Sequence, residues 1–359
     1  MAGVYLSYPF CAQKCTYCNF ASGVFPRDLE ARYFDALQAE LSATQWPWIP
    51  ETIYIGGGTP SRMEPEVLSR LLDRAPGRPW LEATIEAAPG GITSALASAW
   101  REAGINRVSL GVQSFDSREL ARTGRKHDAQ IVASEIAILR SAGLENFNLD
   151  LIAGLPGQTL ESWTASLDWI ERLEAPHVSV YMLEVDEDSS LGAEVLAFGK
   201  RYGAADIPTD DAIADFYELA VARLAAMGIR RYEISNFARP GFESRHNLKY
   251  WRREPYLGFG ADAHSFDGAA RWQNVETAQE YVEQLAKGLS VIVDRTSADS
   301  AEAFFLGLRL DSGVDADWSP YSDAVDRLAR QGLLEAQGRH LRLTPRGVLL
   351  SNEVFAEFL

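Results

Sequence analysis

Six short apolar runs, at 4–8, 52–55, 82–86, 107–112, 147–152 and 178–182, have the length and β-rich content of strands. Between them, apolar residues recur at helical spacing. Leu29, Tyr33, Leu37 and Leu41 fall at every fourth position, and Ile131, Ile136 and Leu139 line another stripe with neighbouring alanines. Gly104 and Gly143 follow helical runs and suit left-handed C-terminal caps. Strands alternating with helices predict an α/β fold with a parallel sheet and right-handed crossovers. Six units are fewer than the eight of a closed barrel. The expected fold is therefore a partial (β/α)6 TIM-like barrel over 1–205.

Past Glu184 the rhythm changes. Gly192, Gly199, Gly203 and Pro208 interrupt residues 186–209. A helix is predicted over 210–227 and a strand over 230–235, followed by a dense polar and aromatic stretch to Phe266. We group 206–290 as an extension of the barrel. From 295 to 359 the chain reads helix, short hairpin, helix, the pattern of a small C-terminal winged-helix-like domain. No helix there is rich in Lys or Arg, so a packing or lid role is expected rather than DNA binding.

Composition narrows the function classes. Of 359 residues, 47% are hydrophobic, as in ordinary soluble domains, and the net charge is −16. So acidic a chain is not expected to carry a broad nucleic-acid footprint. No run of about 18 apolar residues occurs and no basic, apolar leader opens the chain. No transmembrane segment is expected, and with no cysteine free for a disulfide the chain reads as cytoplasmic.

The three cysteines of the chain, Cys11, Cys15 and Cys18, fall within one loop as C-x3-C-x2-C just after the first strand. Three thiolates so close can hold three corners of a cubic iron–sulfur cluster and leave the fourth iron free. A zinc scaffold is the alternative, although structural zinc takes four closed ligands and no histidine lies nearer in sequence than His127. The other informative residues also fall at strand ends. They are GGGTP (56–60), Glu86, Gln113, Asp150 with GLPGQT (154–159), and Glu184. Barrel enzymes build their sites on this carboxyl-terminal rim.

CAQKCTYC with Tyr17, followed by GGGTP, resembles the radical S-adenosylmethionine (radical SAM) superfamily. RVSLGVQSF, GRKH, LDLIAGLPGQT, HNLKYW and YLGFGADAHSF resemble the branch that holds oxygen-independent coproporphyrinogen III oxidase and the HemW-type heme chaperones. The resemblance implies a 4Fe–4S cluster on Cys11, Cys15 and Cys18, with S-adenosylmethionine on the open iron. It further implies that the backbone at Gly57, Gly58 and Thr59 meets the methionine amine and that Glu86 meets the ribose. Gln113, Arg125 and Asp150 would contact other polar groups of the cofactor, with Tyr5 and Tyr17 beside it. For Glu86, Arg125 and Asp150 a purely structural ion-pair network is the other reading.

Within that branch the chain departs from the oxidase. Phe20 stands where the oxidase places a fourth cysteine, and Tyr5 already lies inside the first strand, whereas the oxidase carries an extension there. Both departures imply a chaperone that binds heme and delivers it to an unidentified acceptor protein. The alternative is the oxidase itself, or another radical SAM enzyme acting on tetrapyrroles, so enzymatic activity stays open. In HNLKYW (246–251), His246 is a candidate axial ligand with Tyr250 and Trp251 packing on the macrocycle. The other reading is a packed loop in which His246 only hydrogen-bonds its neighbours and the aromatics are core. His264 is a second candidate, whereas His127, His177 and His340 read as surface or packing residues. A reductant for the cluster and a monomer–dimer equilibrium are further expectations from the resemblance.

Overall fold

The computed structural model describes residues 2–359. Strands β1 (Ala2–Tyr8), β2 (Pro50–Gly57), β3 (Glu82–Ala87), β4 (Arg107–Gln113), β5 (Phe147–Ala153) and β6 (His177–Met182) lie side by side in chain order, all parallel. Successive side chains on a strand point to opposite faces. One face carries Val4, Leu6, Ile53, Ile55, Ile85, Val108, Leu110, Leu149, Leu151, Val178 and Val180, all buried. They share a core with Leu29, Leu37 and Leu41 of the helix Arg27–Ala43 and with Leu139 of the helix Ala129–Ser141. Burying each such side chain contributes about 1.5–3 kcal/mol. Gly104 and Gly143 have φ of 93° and 77°, the left-handed conformation that ends the preceding helices.

The opposite face is polar. Tyr5, Tyr54, Glu86, Arg107, Ser109, Asn148, Asp150 and Ser179 alternate with the apolar set along the same strands. Parallel strands covered on both faces are ordinarily apolar throughout. A polar inner wall therefore marks an interior that holds water or ligand rather than a second sealed core.

The sheet does not stop at six strands. Among the described residues it has twelve and remains open. At the β6 edge, β7 (Arg230–Arg231) and β8 (Asn236–Ala238) run antiparallel. The continuous strand expected over 230–235 is thus a short hairpin. Its cause is Glu233, fully buried, whose carboxylate accepts hydrogen bonds from Ser235 N at 3.1 Å and from Asn236 Nδ2 and so turns the chain. At the other edge β9 (Tyr256–Phe259) pairs in parallel with β1. Beyond it lie β10 (His264–Phe266), β11 (Ala270–Asn274) and β12 (Ile292–Ser297), all antiparallel. The C-terminal region forms a separate antiparallel sheet of β13 (Val314–Asp315), β14 (Leu334–Gln337) and β15 (His340–Leu343). It packs with helices Ser322–Arg330, Pro345–Leu349 and Ser351–Ala356. No helix among the described residues is long and apolar enough to cross a membrane.

Candidate functional site

The cysteine loop leaves β1 at its carboxyl end and is fastened on several sides. Cys11 N donates to Gly23 O at 2.8 Å, and Cys18 N to Cys15 O at 3.2 Å. Leu191 N donates to Thr16 O at 2.7 Å, tying the loop to the segment after β6. All three thiols are free and partly exposed, and burial pushes the Cys18 thiol up. Among the described residues no three His, Cys, Asp or Glu side chains are arranged around a single metal ion. A cubic cluster needs something different, three thiolates at separate corners on one accessible loop. The donor set fits that requirement.

The glycine loop after β2 is pressed against the cysteine loop. Gly58 N donates to Tyr8 O at 2.6 Å and Thr59 N to Phe10 O at 3.0 Å. Gly57 has φ 114° and donates to Glu86 Oε2 at 3.0 Å. A methyl group on Gly58 would lie 2.6 Å from the Phe10 carbonyl oxygen and 2.9 Å from Cys11 Sγ. Since backbone cannot yield as a flexible side chain does, Gly58→Ala is expected to displace the loop with all three thiols still present. Iron uptake on anaerobic reconstitution, measured by elemental analysis, should fall by more than about half. Uptake equal to the parent would show that the two loops do not depend on each other.

Glu86 and Asp150 face a small, wholly polar cavity that also touches Tyr54, Arg107, Asn148 and Tyr181. Tyr54 Oη donates to Glu86 Oε1 at 2.8 Å, and Asn148 Nδ2 to Asp150 Oδ1 at 2.7 Å. Burial pushes the Glu86 carboxyl up to about 7, opposed by the Tyr54 bond and reinforced by the Asp150 charge. Burial raises Asp150 as well, with Ser179, Asn148 and Arg107 acting the other way. Arg107 itself is 2% exposed, and its Nε has no hydrogen-bond partner. It places a positive charge inside the wall that carries the two carboxylates.

Gln113 ends β4 with φ 69°, a left-handed backbone that costs a non-glycine residue about 1–3 kcal/mol. The register of β4 against β5 slips between Leu110 and Gln113, which brings Gln113 opposite Leu151. A methyl on Gly111 would come 2.9 Å from Gln113 Nε2 and 3.5 Å from Arg125 Nη2, so the two polar side chains converge over that glycine. Arg125 approaches Tyr17 Oη at 3.5 Å and also reaches Cys15. Its Nε is buried without a partner. Tyr5 stacks near Tyr54, ring centroids 6.1 Å apart, on the same inner wall. Glu184 lies exposed, two residues beyond the end of β6.

His246 lies behind this wall, its ring centroid 5.3 Å from that of Tyr54. It opens the short helix Arg245–Trp251 and is fully buried. Its Nδ1 shares a hydrogen bond with Thr52 Oγ1 at 2.9 Å and its Nε2 with Tyr250 Oη at 2.8 Å. Burial, with Lys249 and Arg107 nearby, pushes the imidazole down to about 3, so it is neutral. Both ring nitrogens are engaged, and iron could reach Nε2 only after Tyr250 left it.

Glu82, at the start of β3, anchors that helix. Its carboxylate accepts from Ser244 Oγ at 3.3 Å, Arg245 N at 2.8 Å and His246 N at 2.9 Å. Neither Glu82 nor Arg107, nor the Tyr54–Asn148–Ser179 lining, follows from the motifs. The available signal was their alternation with apolar residues inside strands that a buried parallel sheet would otherwise leave apolar.

Comparisons with known proteins agree with this geometry. The radical SAM superfamily profile matches residues 5–170, and the HemN C-terminal domain profile matches 300–350. The chain is 35% identical to the heme chaperone HemW of Bacillus subtilis, covering 100% of this chain and 99% of that one. It is 32% identical to the heme chaperone HemW of Escherichia coli, over 99% and 97% of the two chains. Among solved structures it resembles coproporphyrinogen III oxidase (HemN) from Escherichia coli with a TM-score of 0.85 at 22% identity. That match covers 99% of this chain and 89% of the oxidase. The last likeness shows the fold: a mixed α/β architecture with a large, mainly parallel sheet. With residues 5–170 and 300–350 matched by these two profiles and the relatives aligned end to end, the chain belongs to the HemW heme-chaperone family of the radical SAM superfamily.

Proposed function

We infer that the rim holds a 4Fe–4S cluster on Cys11, Cys15 and Cys18 with S-adenosylmethionine beside it, and that the protein carries heme to an acceptor protein. The observation that carries the first part is the placement of three free thiols on the same rim as the glycine loop, Glu86, Gln113, Arg125 and Asp150. The N–H groups of Gly57, Gly58 and Thr59 already have partners. Thr59 O accepts from Arg62 N, so what this loop has left for a ligand is the Gly58 carbonyl oxygen and the Thr59 hydroxyl, acceptors that suit the ammonium of a methionine moiety. Glu86 would accept from ribose hydroxyls, and the free Nε of Arg125 suits a carboxylate. Gln113 and Asp150 would meet further polar groups, and Tyr5 and Tyr17 would wall the site. When bound, the cluster and cofactor supply one-electron reductive chemistry at the sulfonium, which requires an external reductant.

The state of Glu86 gives this assignment a pH signature. A hydroxyl donor binds the ionised carboxylate, and the ionised fraction rises as pH passes about 7. Affinity for S-adenosylmethionine is therefore expected to increase by up to about tenfold between pH 6 and 8. Without ligand the sign is reversed. The folded carboxyl binds its proton more tightly than the unfolded one, so stability falls as pH rises from the ordinary carboxylate range to about 7. Calorimetric titration of Glu86→Gln should show weaker binding and a flat profile over this range. A parent profile that is already flat would remove Glu86 from the ribose.

The heme part is supported by the end-to-end similarity to relatives named as heme chaperones and by Phe20 in place of a fourth cysteine. Cluster-loaded protein should bind about one heme per chain and should leave coproporphyrinogen III unchanged under anaerobic, reducing conditions. Vinyl-bearing product would establish the oxidase reading instead. The complete rim favours one further outcome of that assay, release of 5′-deoxyadenosine with a reduced tetrapyrrole, which would mark the protein as an enzyme as well as a carrier. Gel filtration with and without the cluster tests the monomer–dimer expectation.

A further inference from the structure

Arg107, the first residue of β4, is 2% exposed and lines the polar inner wall with Tyr54, Ser109, Asn148, Asp150 and Ser179. Its Nε has no hydrogen-bond partner, and among the described residues no carboxylate lies within ion-pair distance of it. A buried guanidinium ordinarily takes a carboxylate on its fork, because desolvating the charge unpaired is costly. Here the buried carboxylates are committed elsewhere. Glu82 holds the N-terminus of the Arg245–Trp251 helix, and Glu86 takes Tyr54 Oη and Gly57 N. Glu233 takes Ser235 N and Asn236 Nδ2. The cavity beside Arg107 is about 40 Å³, room for water but not for an organic ligand. Arg107 therefore acts on the wall itself, through its charge.

Asp150 feels that charge. Burial raises its carboxyl, while Ser179, Asn148, Arg107 and Arg125 act in the opposite direction. The bonds around it fix its orientation. His177 Nδ1 donates to Asn148 Oδ1 at 2.6 Å, and Ser179 Oγ donates to the same oxygen at 3.2 Å. The Asn148 amide is thereby turned so that its Nδ2 donates to Asp150 Oδ1 at 2.7 Å. Tyr232 Oη accepts from Ser244 N at 3.1 Å and is left to donate to His177 Nε2 at 2.8 Å. That pattern requires a neutral His177, and burial together with the Arg107 charge holds it so. Orientation thus comes from the network and charge from Arg107. The other titratable groups facing Asp150 and Glu86 are Tyr5, Tyr54, Tyr181 and Tyr250. Burial of their hydroxyls and the carboxylates beside them keep these phenols protonated.

We propose that Arg107 is a positioning residue of the cofactor site, its unpaired charge holding Asp150 as a carboxylate that accepts hydrogen bonds from S-adenosylmethionine. This rests on the cofactor reading above. Without that counter-charge a buried carboxylate takes up a proton rather than stay charged. The test is calorimetric titration of cluster-loaded protein with S-adenosylmethionine between pH 6 and 9, for the parent, Arg107→Met and Arg107→Lys. In the parent Glu86 is the carboxyl that titrates in this range, so binding releases at most about one proton. In Arg107→Met, Asp150 joins it. Release should reach about two protons near pH 6, with affinity about tenfold below the parent there and within about twofold of it at pH 9. Arg107→Lys keeps the charge and should follow the parental proton count. An equal loss at every pH with an unchanged proton count would reduce Arg107 to a structural role and overturn the proposal. Where Arg107→Met alone fails to fold, adding Asp150→Asn removes the opposite charge with it and should restore a cooperative circular dichroism melt. A double variant that stays unfolded would overturn the proposal as well. A parent that does not bind S-adenosylmethionine would overturn the cofactor reading, and the cofactor-free protein then decides on Arg107. In denaturant melts near pH 6, folded Arg107→Met should hold about one proton more than the parent. An equal count would overturn the assignment of Arg107 alone.

Discussion

Replacing Cys15 by alanine is expected to reduce bound iron from about four atoms per chain to below about one, without unfolding the protein. The loop is held by backbone bonds that the thiol does not make, Cys11 N to Gly23 O and Leu191 N to Thr16 O among them. Cys15 is only partly buried. Its loss should therefore change unfolding free energy by no more than about 0.5–1 kcal/mol in the iron-free protein. Cys15 also borders Arg125 and Tyr17, which sets its sulfur beside a buried guanidinium. Cys11→Ala and Cys18→Ala should have the same consequence for iron. Iron content by elemental analysis and absorbance near 400 nm provide the measure. A zinc scaffold would behave differently, since zinc rather than iron would be recovered from the parent.

The second large effect is on stability and lies far from the cysteines. Glu82 is 2% exposed and satisfies the Ser244 hydroxyl and the first N–H groups of the Arg245–Trp251 helix. Glu82→Ala would leave buried donors at a helix N-terminus without an acceptor and would remove the anion that favours that end of the helix. A loss of about 2–4 kcal/mol in unfolding free energy is expected, with Glu82→Gln losing less. The same helix carries His246 and Trp251, and it packs against β2 through the Thr52–His246 bond. Denaturant melts of both variants check the magnitude, and a loss below about 0.5 kcal/mol would mean that water replaces the carboxylate.

The six parallel strands were legible because each is a short apolar run followed by a helical stripe, and local signals suffice for both. The cysteine loop and the glycine loop were legible for the same reason, since each is contiguous in sequence. The extension of the sheet was not. β9 joins β1 across about 250 residues, and nothing local in YLGF announces a parallel partner at the chain's beginning. The inner wall was half legible. Glu86 and Gln113 stand at strand ends where a rim is expected and Asp150 leads into GLPGQT from the middle of β5, whereas Arg107 and Asn148 sit deeper in the same strands. Only the period-two alternation with Val108 and Leu149 could have placed them. His246 was also half legible. The string HNLKYW marks the residue, but its bond to Thr52 on β2 joins positions 194 apart and has no local signal.

Electron paramagnetic resonance of anaerobically reconstituted, reduced protein, recorded with and without S-adenosylmethionine, addresses the vacant iron corner most directly. The expected spectrum is that of a reduced 4Fe–4S cluster whose g-values shift when the cofactor is added. A spectrum indifferent to S-adenosylmethionine, or a preparation that holds zinc and no iron, would contradict it.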